Sequence, residues 1–85
     1  GEQHARRGYM SDALQIAVTF AFETLGLHRV EAACLPENTP SRKLLQKSGF
    51  TEEGYARAYL KICGAWRDHI RFGILASDPR PDRPT

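Results

Sequence analysis

The sequence has little of what announces a function by itself. Among its 85 residues there are two cysteines, one tryptophan and one methionine. Cys34 and Cys63 sit in no C-x-x-C spacing, and no histidine lies near either in a ligand pattern, so no metal site is expected. Two buried free thiols in a reducing cytoplasm fit better than a disulfide. There is no run of 18 apolar residues and no leader pattern at the start, so neither a membrane span nor a signal peptide is expected. Net charge is also small. Nine arginines and three lysines are offset by ten acids scattered among them, leaving +2. Nucleic-acid binding leaves a strongly basic face or stripe, and Arg6, Arg7, Arg67 and Arg71 do not amount to one. No internal repeat is visible.

What remains suits one small globular domain. The hydrophobic share is 41%, and five prolines with seven glycines are too few for disorder throughout. The chain opens on Gly1 rather than Met, almost on top of its most informative stretch, and both facts suggest a fragment or a processed chain.

Period and punctuation then divide the sequence. From about Tyr9 to Leu25 a helix is predicted, with Met10, Ala13, Leu14, Ala17, Ala21 and Leu25 on one face. Ile16, Val18, Phe20 and Phe22 make it apolar on other sides too, which predicts burial on more than one side; Gly26 then Leu27 suits its end. His28 to Leu35 alternates as a strand, with His28 structural or solvated at its entry. Thr39-Pro40 reads as an N-cap and first helical residue, starting a short helix to about Lys47 that Gly49-Phe50 closes. From Tyr55 to Leu75 the period is two. Ala56, Ala58, Leu60 and Ile62 share one face, Tyr55, Arg57, Tyr59 and Lys61 the other, and Gly64 makes the turn to a second strand. Residues 76–85, with three prolines, read as a disordered tail beyond a domain at 1–75.

The chemistry-bearing stretch is Arg6-Arg7-Gly8-Tyr9-Met10-Ser11, a glycine in a basic turn running into a helix. The first turn of a helix carries unpaired N–H groups and the positive end of the dipole, and Gly8 would admit a phosphate without a Cβ in the way. Together with Ser11-Asp12-Ala13-Leu14, this run resembles motif A of the GNAT superfamily of acetyl-CoA-dependent N-acetyltransferases. Ala5 stands where glutamine or arginine is usual, and Met10 where the last small residue is usual; neither departure removes backbone donors.

Asn38-x-x-Ser41-x-x-Leu44-Leu45-x-Lys47-x-Gly49-Phe50 is similar to a second pattern of the same superfamily. Glu53-Gly54-Tyr55-Ala56-Arg57 and Ile62-x-Gly64-x-Trp66-x-Asp68-His69 resemble the Rim-type acetyltransferases that act on ribosomal-protein N-termini. The resemblance spans residues 5 to 75 and implies an α/β fold, the C-terminal half of a GNAT domain, in the order helix-strand-helix-strand-strand with a mixed sheet.

The resemblance also assigns roles. Arg6, Arg7, Gly8, Tyr9, Met10 and Ser11 would hold the pyrophosphate of coenzyme A, the strand at Val30–Leu35 would align its pantetheine arm, and Asn38 would bond that arm. Many relatives carry a proton-donating tyrosine where this chain has Leu45. Leucine transfers no proton, so the catalytic role falls to Ser41, with water or one of Tyr9, Tyr55 and Tyr59 as the alternatives. Asp68 and His69, adjacent on a strand, point to opposite faces and cannot form a dyad; Asp68 reads as structural or substrate-side. The acceptor would be an amine, of a protein N-terminus or a small molecule, and no metal, nucleic acid or membrane is implied. A second reading is a non-catalytic module that binds coenzyme A weakly or self-associates, as a homodimer through the exposed edge of the His28–Leu35 strand.

Overall fold

A computed structural model describes residues 2–80, with side chains from Met10 onward. Helix α1 (Glu2–Thr19) passes into a π-helical turn (Phe20–Thr24), followed by β1 (Arg29–Cys34), α2 (Thr39–Lys47), β2 (Thr51–Ile62) and β3 (Ala65–Leu75). The expected α/β order is present. The sheet runs β1-β3-β2, so the last strand lies in the middle, antiparallel to both neighbours. The mixed sheet expected from the sequence is therefore corrected to an antiparallel one among the described strands, because β3 separates β1 from β2.

Alternation along β3 decides which face is which. Ile70, Phe72 and Ile74 pair with Cys34, Ala32 and Val30 of β1, and directly opposed residues share a face. Both helices lie on that face: Val18 of α1, Leu45 of α2 and Phe50 join Cys34, Ile70, Phe72 and Ile74 in one core, with Leu14 and Phe22 packed against it. Phe72 and Ile74 are fully buried, each contributing about 1.5–3 kcal/mol by removal from water. Across the other face run ion pairs: Arg29 bonds Glu31 at 2.9 Å and Glu53, and Arg71 reaches Glu31 at 3.4 Å. Gly73 makes room for the Arg29–Glu53 pair, since a Cβ there would lie 2.6 Å from Glu53 Oε2.

Helix α1 differs from expectation in two ways. It starts at Glu2 instead of Tyr9, because Glu2, Gln3, Ala5, Arg6 and Arg7 are good helix formers and only Gly8 opposes, by about 1 kcal/mol. Its packed stripe is Leu14, Val18 and Phe22, whereas Met10, Ala13, Ala17 and Leu25 of the expected stripe are exposed. The packed residues recur every four positions, one above the other on a single face of the helix. Burial on more than one side is not seen, and Met10, Ile16, Phe20 and Leu25 stay more than half exposed. The π turn closes with Leu25 N–H on Phe20 O and Leu27 N–H on Ala21 O, both 3.0 Å, around Gly26 at φ +67°.

Helix α2 ends as read. Gly49 (φ +100°) donates to Gln46 O, Phe50 donates to Leu45 O, and the Leu45 and Phe50 side chains meet in the core, a Schellman closure. The hairpin turn is Cys63-Gly64 with both φ positive, as a two-residue type I′ loop requires. Cys63 is thereby exposed at the tip, which corrects the expectation of two buried thiols; Cys34 is buried, and both are free. The tail expected at 76–85 is tied back as far as Arg80. Asp78 Oδ2 accepts from Leu75 N–H at 2.9 Å, and Arg80 donates to Thr19 Oγ1 and Glu23 Oε2 over the Phe22 ring. Residues 81–85 lie outside the described residues.

One buried group goes unsatisfied. Ser48 Oγ has no hydrogen-bond partner among the described residues, although Ser48 is buried in the last turn of α2. An unpaired buried hydroxyl costs about 1–3 kcal/mol. Ser48→Ala is therefore expected to stabilise the protein by about 1 kcal/mol, a rise of roughly 4–8 °C in Tm for a domain of this size. Thermal unfolding followed by circular dichroism checks this, and an unchanged or lower Tm refutes it.

Candidate active site

The site is built where β1 hands over to α2. The chain leaves Cys34 through Leu35 and Pro36, and Asn38 N–H closes the turn on Leu35 O at 2.9 Å. Asn38, not Thr39, is the N-cap: its Oδ1 accepts from Ser41 N–H at 3.2 Å, and Thr39 and Pro40 are the first helical residues. The shift arises because Asn38, in a non-helical conformation three residues before Ser41, has the reach a cap needs. Its Nδ2 donates to no protein group among the described residues and stays available to a ligand. Ser41 is half-buried one turn in, and its hydroxyl likewise has no protein partner there. Leu45 faces the core. A side chain in its place points at the sheet, and the first turn of α2 carries two hydroxyls, those of Thr39 and Ser41.

Beside this turn lies a hollow of about 280 Å³ lined by Pro36, Glu37, Tyr55, Trp66, Arg67 and Asp68. Asp68 is its anchor. Its Oδ2 accepts from the Tyr55 hydroxyl at 2.6 Å and its Oδ1 from Ala58 N–H at 2.8 Å. Ala58 has φ +47°, which a non-glycine residue adopts at a cost, and the bond to Asp68 holds it there. The Tyr55 hydroxyl and then the Ala58 amide keep the Asp68 carboxyl below its ordinary range, and the same bond raises the Tyr55 phenol. Glu37 pairs with Arg67; its own backbone N–H and then Arg67 lower its pKa.

The strand faces were read almost correctly. Ala56 pairs with His69 and Leu60 with Arg67, so residues 57–59 stand against Asp68 alone. Two extra residues preserve the shared face of Ala56, Leu60 and Ile62 but move Tyr59, which lies 5.6 Å from the His69 ring on the face opposite Tyr55. His69 is buried and turned away from Asp68, so the two form no dyad.

The structure does not gather all the expected residues. Arg6, Arg7, Gly8, Tyr9, Met10 and Ser11 lie within α1, so the amides from Gly8 to Ser11 sit past the helix's first unpaired donors. The pairing of β1 is one-sided: β3 takes one edge, and no described strand takes the other. Glu37, which the sequence did not single out, and Trp66, which it gave only as a motif letter, become neighbours through the fold. Among the described residues no group of three or more His, Cys, Asp or Glu could hold a metal ion, and no helix is long and apolar enough to cross a membrane.

Comparison with known proteins places this architecture. A family model described as an acetyltransferase (GNAT) domain matches residues 1–51. The chain belongs to the GNAT acetyltransferase family. It is 44% identical over 75 residues to a probable N-acetyltransferase, YjcK, of Bacillus subtilis, covering 88% of this chain and 41% of that protein. It is 39% identical over 83 residues to the ribosomal protein uS5-alanine N-acetyltransferase of Escherichia coli, covering 98% of this chain and 43% of that protein. Among solved structures, Mycobacterium smegmatis RimJ in complex with CoA-disulfide superposes with a TM-score of 0.74 at 47% identity, over 78% of this chain and 32% of that one. The chain thus spans less than half the length of the relatives it matches.

The Asp68 anchor has a pH signature. A carboxyl whose pKa is depressed on folding stabilises the fold above its unfolded value, about 3.9, and the contribution disappears as pH falls through the lower folded value. Stability should therefore decline below about pH 4, and Asp68→Asn should flatten that decline while lowering stability at neutral pH. Urea unfolding across the acid range tests this; identical slopes for both proteins contradict it.

Proposed function

We propose that the protein is an acetyl-CoA-dependent N-acetyltransferase whose acceptor is the amine of a protein N-terminus, in keeping with its similarity to the uS5-alanine enzyme; a small-molecule amine is the alternative. The supporting observation is the unpaired edge of β1 leading straight into the Asn38–Ser41 start of α2. Free strand N–H and C=O groups suit the amides of a pantetheine arm, and the spare Nδ2 of Asn38 extends the same line. Bound acetyl-CoA supplies a thioester carbonyl open to attack by a neutral amine. Ser41 gives its hydroxyl proton to the departing sulfur as the carbon–sulfur bond breaks and regains one from solvent, which takes up the proton the amine loses as the amide forms.

Arg6, Arg7, Gly8, Tyr9, Met10 and Ser11 hold the pyrophosphate in this reading, which requires α1 to begin after Gly8 when coenzyme A binds. Opening a helix end costs little, and Gly8 is the weak point of these turns. The competing reading of a self-associating module draws support from the same open edge and from the exposed Met10, Ile16 and Phe20. Sedimentation together with an assay of thiol release from acetyl-CoA on an alanine-starting peptide separates the two. Turnover supports the enzyme, and self-association without turnover or coenzyme A binding supports the module.

Two substitutions test the assigned roles. Gly8→Ala favours the closed helix and should weaken coenzyme A binding roughly two- to fivefold, while Gly8→Asp adds bulk and like charge and should weaken it about tenfold or more. Unchanged affinity by calorimetry in both removes the cradle. Ser41→Ala should lower kcat on the order of 10²-fold with coenzyme A affinity kept, and full activity would transfer the role to water or a tyrosine.

A further inference from the structure

The hollow beside α2 has features that the handling of coenzyme A does not use. At about 280 Å³ it lies at the small end of ligand sites, large enough for a chain terminus and too small for a nucleotide cofactor. Its charged members are Glu37, Asp68 and Arg67, so it carries one net negative charge. Asp68 uses one acceptor position on each oxygen and has others to spare, since a carboxylate offers about four. Trp66 is 62% exposed and Tyr55 58%. Both rings line the hollow, where a cation over an aromatic face gains energy. Glu37 immediately precedes the Asn38 cap, which puts the hollow next to the start of α2 that carries Ser41.

We propose that this hollow recognises the protonated amino terminus of the acceptor, with Asp68 and Glu37 taking its N–H groups and Trp66 and Tyr55 flanking the cation. The inference rests on the acetyl-transfer reading for the fate of the amine, but not for its binding; before attack the bound ammonium gives one proton to solvent, which leaves the neutral amine. A charged carboxylate pair beside two rings selects an ammonium group over a neutral amide, so an acetylated product is released. Asp68 has a second task, holding the Ala58 backbone and the Tyr55 hydroxyl, and so shapes the wall of the hollow as well as its charge.

Trp66 is the chain's single tryptophan, so its fluorescence reports on this hollow alone. The test titrates the protein with alanylglycylglycine amide carrying a free amino terminus and, in parallel, with the same peptide N-acetylated. The free terminus should change Trp66 emission saturably and the acetylated peptide should not. Glu37→Gln and Asp68→Asn should each weaken the free peptide about tenfold, as loss of a charged hydrogen-bond partner does. Glu37→Gln touches no strand pairing and guards against a folding effect of the Asp68 variant. In the transfer assay Glu37→Gln should raise the acceptor KM with kcat and coenzyme A affinity retained. An equal response to both peptides, or unchanged affinity in both variants, overturns the proposal. Saturable, amine-selective binding in a protein that neither binds coenzyme A nor transfers acetyl would sustain the hollow and remove the acetyl-transfer reading.

Discussion

Strand β3 must serve two neighbours and two faces at once, and the other elements follow from how it does so. Hydrogen-bonded along both edges, it supplies Ile70, Phe72 and Ile74 to the helix-bearing face. The residues between them belong to the opposite face, where Arg71 meets Glu31 and Gly73 leaves a gap that the Arg29–Glu53 pair crosses. Toward its start the same alternation delivers Trp66 and Asp68 to the helix side, clear of the core, where the turn before α2 meets them. Core, charged face and hollow are successive outcomes of one period-two pattern.

Where a structural decision is local, the residues declare it. The end of α2 needs a left-handed residue followed by an apolar one, and Gly49-Phe50 can hardly be read otherwise. Gly26 and the Cys63-Gly64 turn are legible for the same reason. The cap of α2 is a near miss, since Asn38 and Thr39 are both able caps and only the backbone path from Pro36 decides between them.

Non-local decisions are harder to see. A regular hairpin continued from the Ile62–Ala65 pair would set Tyr55 against Phe72. The observed partner is Ile70, two residues away, and the difference is the bulge at 57–59 that Asp68 holds from the other strand. No feature near Ala58 announces a positive φ there. The tie of Arg80 to Thr19 and Glu23 is equally hidden, 61 and 57 residues apart in sequence. At the other end of the chain the motif letters of Arg6–Ser11 suggest a turn, whereas their helix propensity suggests continuation, and propensity prevails in this structure. The start of α2 at Asn38 to Ser41 was therefore legible as local structure, but the hollow was not, because two of its walls come from different strands.

The insertion of β3 between β1 and β2 also bears on the order of assembly. As the polypeptide leaves the ribosome, β1, α2 and β2 emerge before the strand that lies between them. Until β3 arrives, β1 and β2 have no described partner, and the apolar sides of both helices have no Phe72 or Ile74 to close on. The hairpin can zip locally from Cys63-Gly64, but joining β1 must close a loop from Cys34 to Ile70. Pairing among these three strands thus waits for β3, and the nascent chain displays β1 and β2 without it until then.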